Sequence, residues 1–171
     1  RYSDKEVINY LTNRGVENVK AKMISKLVDG NINEALQLTE NIEDSDQNAF
    51  SFVQWMRLCF SALKNKDIDK LVQWSEMMAN SGRENQKNFL LFTSNVVRDA
   101  LLKNYGVEKM MKMNISGQNF TMDKFAPFIH ADNCMEIISE LNMAQLHIER
   151  NANPKILMLD VSLQFYKLLR K

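Results

Sequence analysis

Three side chains able to do chemistry sit close together in this chain: His130, Asp132 and Cys134, with His147 further on. An imidazole, a carboxylate and a thiol could hold a divalent metal, or a cysteine could act as nucleophile beside a histidine base. Neither pattern is complete. A zinc site needs four ligands at defined spacing, and here the pieces are scattered. No local signature of a cysteine nucleophile surrounds Cys134. The expectation is therefore a capping or surface histidine and a core cysteine, with no metal site. The carboxylate pairs Asp67/Asp69 and Glu43/Asp44 fall at expected helix ends, where the helix dipole accounts for them. No glycine-rich phosphate loop follows a strand-like segment. The chain is thus expected to carry no catalytic residue and no cofactor of its own.

Charge and hydropathy narrow the class further. The net charge is +1, which argues against a dedicated nucleic-acid binder. No apolar run reaches the length of a membrane span, and no apolar leader follows Arg1-Tyr2-Ser3-Asp4. The lack of an initiator Met suggests a piece of a longer protein, cytoplasmic and without a membrane partner. Cys59 and Cys134 both lie in apolar helical stretches, which predicts buried free thiols in a reducing compartment. The sequons Asn114-Ile115-Ser116 and Asn119-Phe120-Thr121 read as loop composition.

Only two prolines and five glycines interrupt the chain, and the apolar spacing is helical almost throughout. Ser3 and Glu6 form a capping box ahead of Val7, Ile8 and Leu11, and Gly15 is a natural stop. A second helix, from about Glu17 to Asp29, shows Val19, Met23 and Leu27. A third carries Ile32, Ala35, Leu36 and Leu38 and is expected to fade in the polar stretch Asn41-Ile42-Glu43-Asp44-Ser45-Asp46, read as a domain boundary. Beyond it, Ala49, Val53, Met56, Phe60 and Leu63 form an inward stripe. Ile68, Leu71, Val72, Ser75 and Met78 mark the next helix. Ser81 and Glu84 are a possible capping box for a long helix with Phe89, Phe92, Val96 and Ala100.

Residues from about Tyr105 to Thr121 lose periodicity and read as a loop with one short helix near Val107 to Met111. A short helix runs toward Ile129. Asp132 can cap the next, which carries Met135, Ile138, Leu141 and Leu146. Asn153 and Pro154 then start a last helix that is apolar on most of its surface. Such a helix is either central to the bundle or packed on another subunit. Trp55 and Trp74 flank their stripes, at an interface or within a wide core. Arg83, Lys87 and Arg98 share one helix, as a solvated face or as contacts for phosphates or acidic partners.

Three stretches carry a family resemblance. Leu27-Val28-Asp29-Gly30-Asn31-Ile32-Asn33-Glu34-Ala35-Leu36 resembles the end of the lid in AAA+ clamp-loader subunits. In ATP-binding members an arginine stands three residues after the turn glycine; here that position is Asn33, which cannot supply a cationic fork to a phosphate. Ser81-Gly82-Arg83-Glu84-Asn85-Gln86-Lys87-Asn88-Phe89-Leu90 is similar to a segment of the collar domain in delta-prime subunits, especially those of Bacteroidetes. His147-Ile148-Glu149-Arg150-Asn151-Ala152-Asn153-Pro154-Lys155-Ile156 resembles the turn before the final collar helix of the same subunits.

The resemblance implies an all-α chain: a small three-helix AAA+ lid over 1–44, then a collar helical bundle over 45–171 that mediates oligomerisation. It implies an ATPase-like module ahead of Arg1. It implies a non-catalytic part in bacterial DNA polymerase III, where five subunits join through their collars to load the sliding clamp onto primed DNA during replication. The implied partners are the gamma/tau and delta subunits, with clamp and DNA reached through the complex. Asn33, Arg83, Gln86, Lys87, Phe89, Arg98, Arg150, Asn151, Asn153, Pro154, Leu163 and Tyr166 are the motif and candidate interface residues. Two alternatives stay open: a gamma/tau collar, against which Asn33 speaks, and an unrelated helical scaffold, for which no fixed-period repeat is found.

Overall fold

The computed structural model describes residues 2–28, 30–65, 68–112, 115 and 120–171, without the side chains of 41–43, 62, 63 and 65. The fold is all-α: the described residues form helices and turns, with no strand. The chain divides into two compact units, Arg1–Gln47 and Asn48–Lys171. The sequon asparagines Asn114 and Asn119, Asp67 and the side chains of Glu43 and Leu63 fall outside the described residues.

The first unit holds α1 (Asp4–Asn13), α2 (Asn18–Leu27) and the start of α3 (Ile32–Asn65). The capping box of α1 forms as expected: Ser3 Oγ accepts from the Glu6 amide, and the Glu6 carboxylate accepts from the Ser3 amide at 2.8 Å. These bonds hold the Glu6 carboxyl below its usual range. Val7, Leu11, Ala21, Ile24, Val28 and Ala35 make a small core.

The α2 spacing needs correction. Val19, Met23 and Leu27 are 63, 63 and 69% exposed, while Ala21, Ile24 and Ser25 face inward. Two stripes compete on this short helix. The one with Ala21, Ile24 and Ser25 is buried, continuing into Val28.

Gly30 closes this unit. Its φ is +78°, and a Cβ there would lie 2.2 Å from the Tyr2 carbonyl oxygen. The Tyr2 amide donates to the Gly30 carbonyl at 3.1 Å. Only glycine satisfies both the left-handed backbone and the close approach. Asn31 then caps α3, its Oδ1 accepting from the amides of Asn33 and Glu34.

The third helix does not fade. It runs unbroken through the polar stretch, and the division between the units falls inside it. Loss of apolar periodicity is not loss of helix. The segment contains no Gly or Pro, and its Asp, Asn and Ser residues are only tenths of a kcal/mol (roughly 0.5 each) worse than good helix formers. Asp44 to Gln47 are exposed.

The second unit packs the rest of α3 with α4 (Asp69–Asn80), α5 (Arg83–Asn104), the short α6 (Met122–Phe125), α7 (Ala131–Glu149) and α8 (Pro154–Leu169). A 3-10 turn over Glu108–Met110 lies in the loop, and another, Ala126–Phe128, follows α6. The core is aromatic at its centre. Trp55 meets Phe52, Trp74, Phe89 and Phe165, with ring centroids 4.7 to 6.4 Å apart. Both tryptophans are therefore core residues. Val53, Met56, Leu71, Ser75, Met78, Phe89, Phe92, Val96 and Ala100 are buried as their spacing predicts.

Two helix starts differ from expectation. Gly82, not Ser81, occupies the N-cap of α5, and Ser81 Oγ instead donates back to the Met78 carbonyl at the end of α4. For α7 the N-cap is His130, with Asp132 at the second helical position, inside the first turn; Asn133 Oδ1 accepts from the His130 amide at 2.9 Å. Met135 is exposed, and Ile137, Leu141, Ala144 and Ile148 take the inner face. The last helix is central. It packs on α4 and α7, and Ser162 reaches Trp55 on α3.

Candidate functional site

The resemblance stretches 81–90 and 147–156 are far apart in the chain but meet in space. Arg83, at the start of α5, donates to Asn151 Oδ1 in the α7–α8 turn. One turn on, Lys87 Nζ lies 3.1 Å from Glu149. Lys155 pairs with Glu76 of α4. These contacts clamp the α4–α5 turn to the α7–α8 turn at one end of the bundle.

Turn chemistry explains most of the motif residues. Asn151 has φ +61°, the left-handed conformation asparagine tolerates. The Ala152 amide donates to the His147 carbonyl and the Asn151 amide to that of Ile148, a Schellman ending for α7. Asn153 caps α8, its Oδ1 accepting from the amides of Lys155 and Ile156, with Pro154 at the first helical position as expected. Gln86 is buried, and its Nε2 donates to the carbonyls of Met78 and Ala79, closing the end of α4. Phe89 is a core residue against both tryptophans.

The remaining candidates separate from this clamp. Arg98 is half exposed, and its guanidinium lies 3.8 Å from the buried Asp99, whose other oxygen accepts from the Lys112 amide. Arg150 is exposed. Asn33, in the first unit, is exposed at the start of α3. Leu163 and Tyr166 lie half-buried on α8.

Those last two belong to a longer feature. Ile156, Leu159, Leu163 and Tyr166 follow one another at intervals of three, four and three, so they share one side of α8. Ile156 is 67% exposed and the other three are partly so. The buried side of the same helix is Met158, Val161, Ser162, Phe165 and Leu169. The helix thus fills the core with one face, and the stripe runs along its margin, with Leu159 and Leu163 packed partly on the core and Ile156 outside it. The Arg170 guanidinium lies over the Tyr166 ring, 5.5 Å from its centroid, at the end of the stripe.

His130, Asp132 and Cys134 do not converge on a site. His130 Nδ1 is 3.9 Å from an exposed Asp132 carboxylate, while Cys134 points into the core. Burial pushes the Cys59 and Cys134 thiols up from their ordinary values, which suppresses thiolate. Among the described residues no group of histidines, cysteines and carboxylates gathers as for a metal. None of the described helices is long and apolar enough to cross a membrane.

Sequence reasoning missed two polar staples. Asn133 is fully buried, and its Nδ2 donates to the carbonyls of Phe128 and Leu168. Asn104 donates to the carbonyls of Ala126 and Ile129 at 2.7 and 2.6 Å. The available signal was an asparagine at a helix end beside a segment short of its own backbone partners.

No family model matches the chain, and searches of curated proteins and of solved structures find no match either.

Proposed function

We propose that this chain is the lid and collar portion of a clamp-loader subunit of the delta-prime type, an assembly piece whose own residues turn nothing over. The second unit would be the collar, fixing the subunit beside gamma/tau and delta so that the complex can load a sliding clamp onto primed DNA. The first unit would be the lid, joined to an ATPase-like module in the full subunit.

The observation that carries this reading is the partly exposed apolar stripe Ile156, Leu159, Leu163 and Tyr166 on a helix whose neighbouring face is already core. A rigid helix offering an apolar side is what subunit docking uses, and stable interfaces need on the order of 1,000 Å² or more in total. The meeting of the two collar-like stretches at one clamped end supports it. Asn33 supports the delta-prime type over an ATP-binding subunit, since its amide side chain brings no positive charge to a phosphate.

Co-purification with gamma/tau collars tests the reading. The chain should co-elute with them in size exclusion at micromolar concentration, and Leu163→Glu with Ile156→Glu should abolish that. Separate elution of the unmodified chain would sink the proposal.

A further inference from the structure

A second surface lies elsewhere on the bundle. An open groove of about 520 Å³ runs beside α3, floored by Val53, Met56, Phe60, Phe120 and Phe125. Lys64 and Lys124 stand at its rim, and no carboxylate lines it among the described residues. Asp123, next to Lys124, is drawn away to Lys103 at 2.9 Å. From Val53 to Phe60 the floor follows α3 for about two helical turns, or ~10 Å, and Lys64 stands one turn further on.

We infer that this groove is a docking site for an acidic amphipathic helix of a partner protein. An apolar floor between cationic walls selects a segment whose Leu-like side chains recur at helical spacing and whose flanks carry Asp or Glu. The length of the floor matches two or three such anchors. A second copy of this chain is a poorer occupant, because the same cationic rim would face itself. The inference does not depend on the clamp-loader reading; Phe60 touches Tyr166 (ring centroids 6.1 Å apart), so the groove opens near the stripe but is a separate surface.

Fluorescence anisotropy with the full chain tests it. The probe is a labelled synthetic Ala-based helix of about five turns with Leu at positions i, i+3 and i+7 and Glu at a few flanking positions; a second probe replaces every Glu by Lys. The acidic probe should bind saturably, at least about tenfold tighter than the basic one, and weaken as salt rises. Lys64→Glu with Lys124→Glu should reverse the preference while circular dichroism and melting stay as in the parent. Equal affinity for both probes, no saturation by ~100 µM, or indifference to the double charge reversal would overturn the inference. Self-association in sedimentation that the double reversal abolishes would likewise overturn it in favour of a second copy.

Discussion

Trp55 lies nearly flat on Trp74, with ring centroids 5.7 Å apart at 21°, yet the two indoles meet different fates. Trp55 Nε1 donates to Ser162 Oγ at 2.7 Å, whereas Trp74 Nε1 is buried with no hydrogen-bond partner among the described residues. One polar group ties α3 to α8; the other bears its desolvation alone.

This asymmetry predicts opposite tolerance. Trp55→Phe should orphan the Ser162 contact and leave a void, lowering stability by roughly 2–4 kcal/mol. Trp74→Phe removes an unsatisfied N–H along with its packing, so the two effects offset. It should be milder by about 1–3 kcal/mol, the desolvation of one such group. Urea unfolding of both variants decides this, and equal losses would contradict it.

The motif residues should divide by burial. Gln86→Ala uncovers carbonyls at the end of α4 and removes a buried amide, for about 1–3 kcal/mol. Arg83→Ala and Lys87→Ala break exposed contacts and should each change stability by about 1 kcal/mol or less. Thermal melts that ranked Arg83 above Gln86 would show that the clamp, and not the cap, holds this end together.

Asn133→Ala should be among the most damaging polar substitutions. It frees the Phe128 and Leu168 carbonyls and the His130 amide at once. A loss of roughly 2–4 kcal/mol is expected, with faster amide exchange at the end of α8. Unchanged exchange there would place its contribution elsewhere.

Gly30→Ala should loosen the first unit by at least ~1–3 kcal/mol, from the left-handed backbone and the clash with Tyr2. Hydrogen exchange at Val7 and Leu11 should rise while that at Val96 and Leu141 holds. Uniform change across the chain would contradict a local effect.

Both thiols should resist alkylation until the chain unfolds, since burial favours their protonated form. With folded pKa values above the unfolded one, the folded chain retains protons the unfolded chain releases. Stability is therefore full below about pH 8.5 and falls as pH rises above it. Cys59→Ala should flatten that alkaline decline; a decline as steep as the parent's would assign it to other groups.

The sequence by itself determined the class of the fold and its punctuation. Helical spacing, two prolines and a few glycines left little room for strands. The Ser3 and Asn153 caps were legible because each is a local hydrogen-bond requirement written within four residues. What it could not decide was which of two stripes a short helix buries, as on α2, or that a polar helix continues where the apolar rhythm stops, as in α3. Those outcomes depend on what the rest of the chain packs against each helix. Only the tertiary structure brought Arg83 to Asn151 and Asn133 to Leu168, because contacts between distant segments leave no periodic trace in the chain. It also turned one edge of α8 outward, a choice set by which partners had already filled the helix's other side.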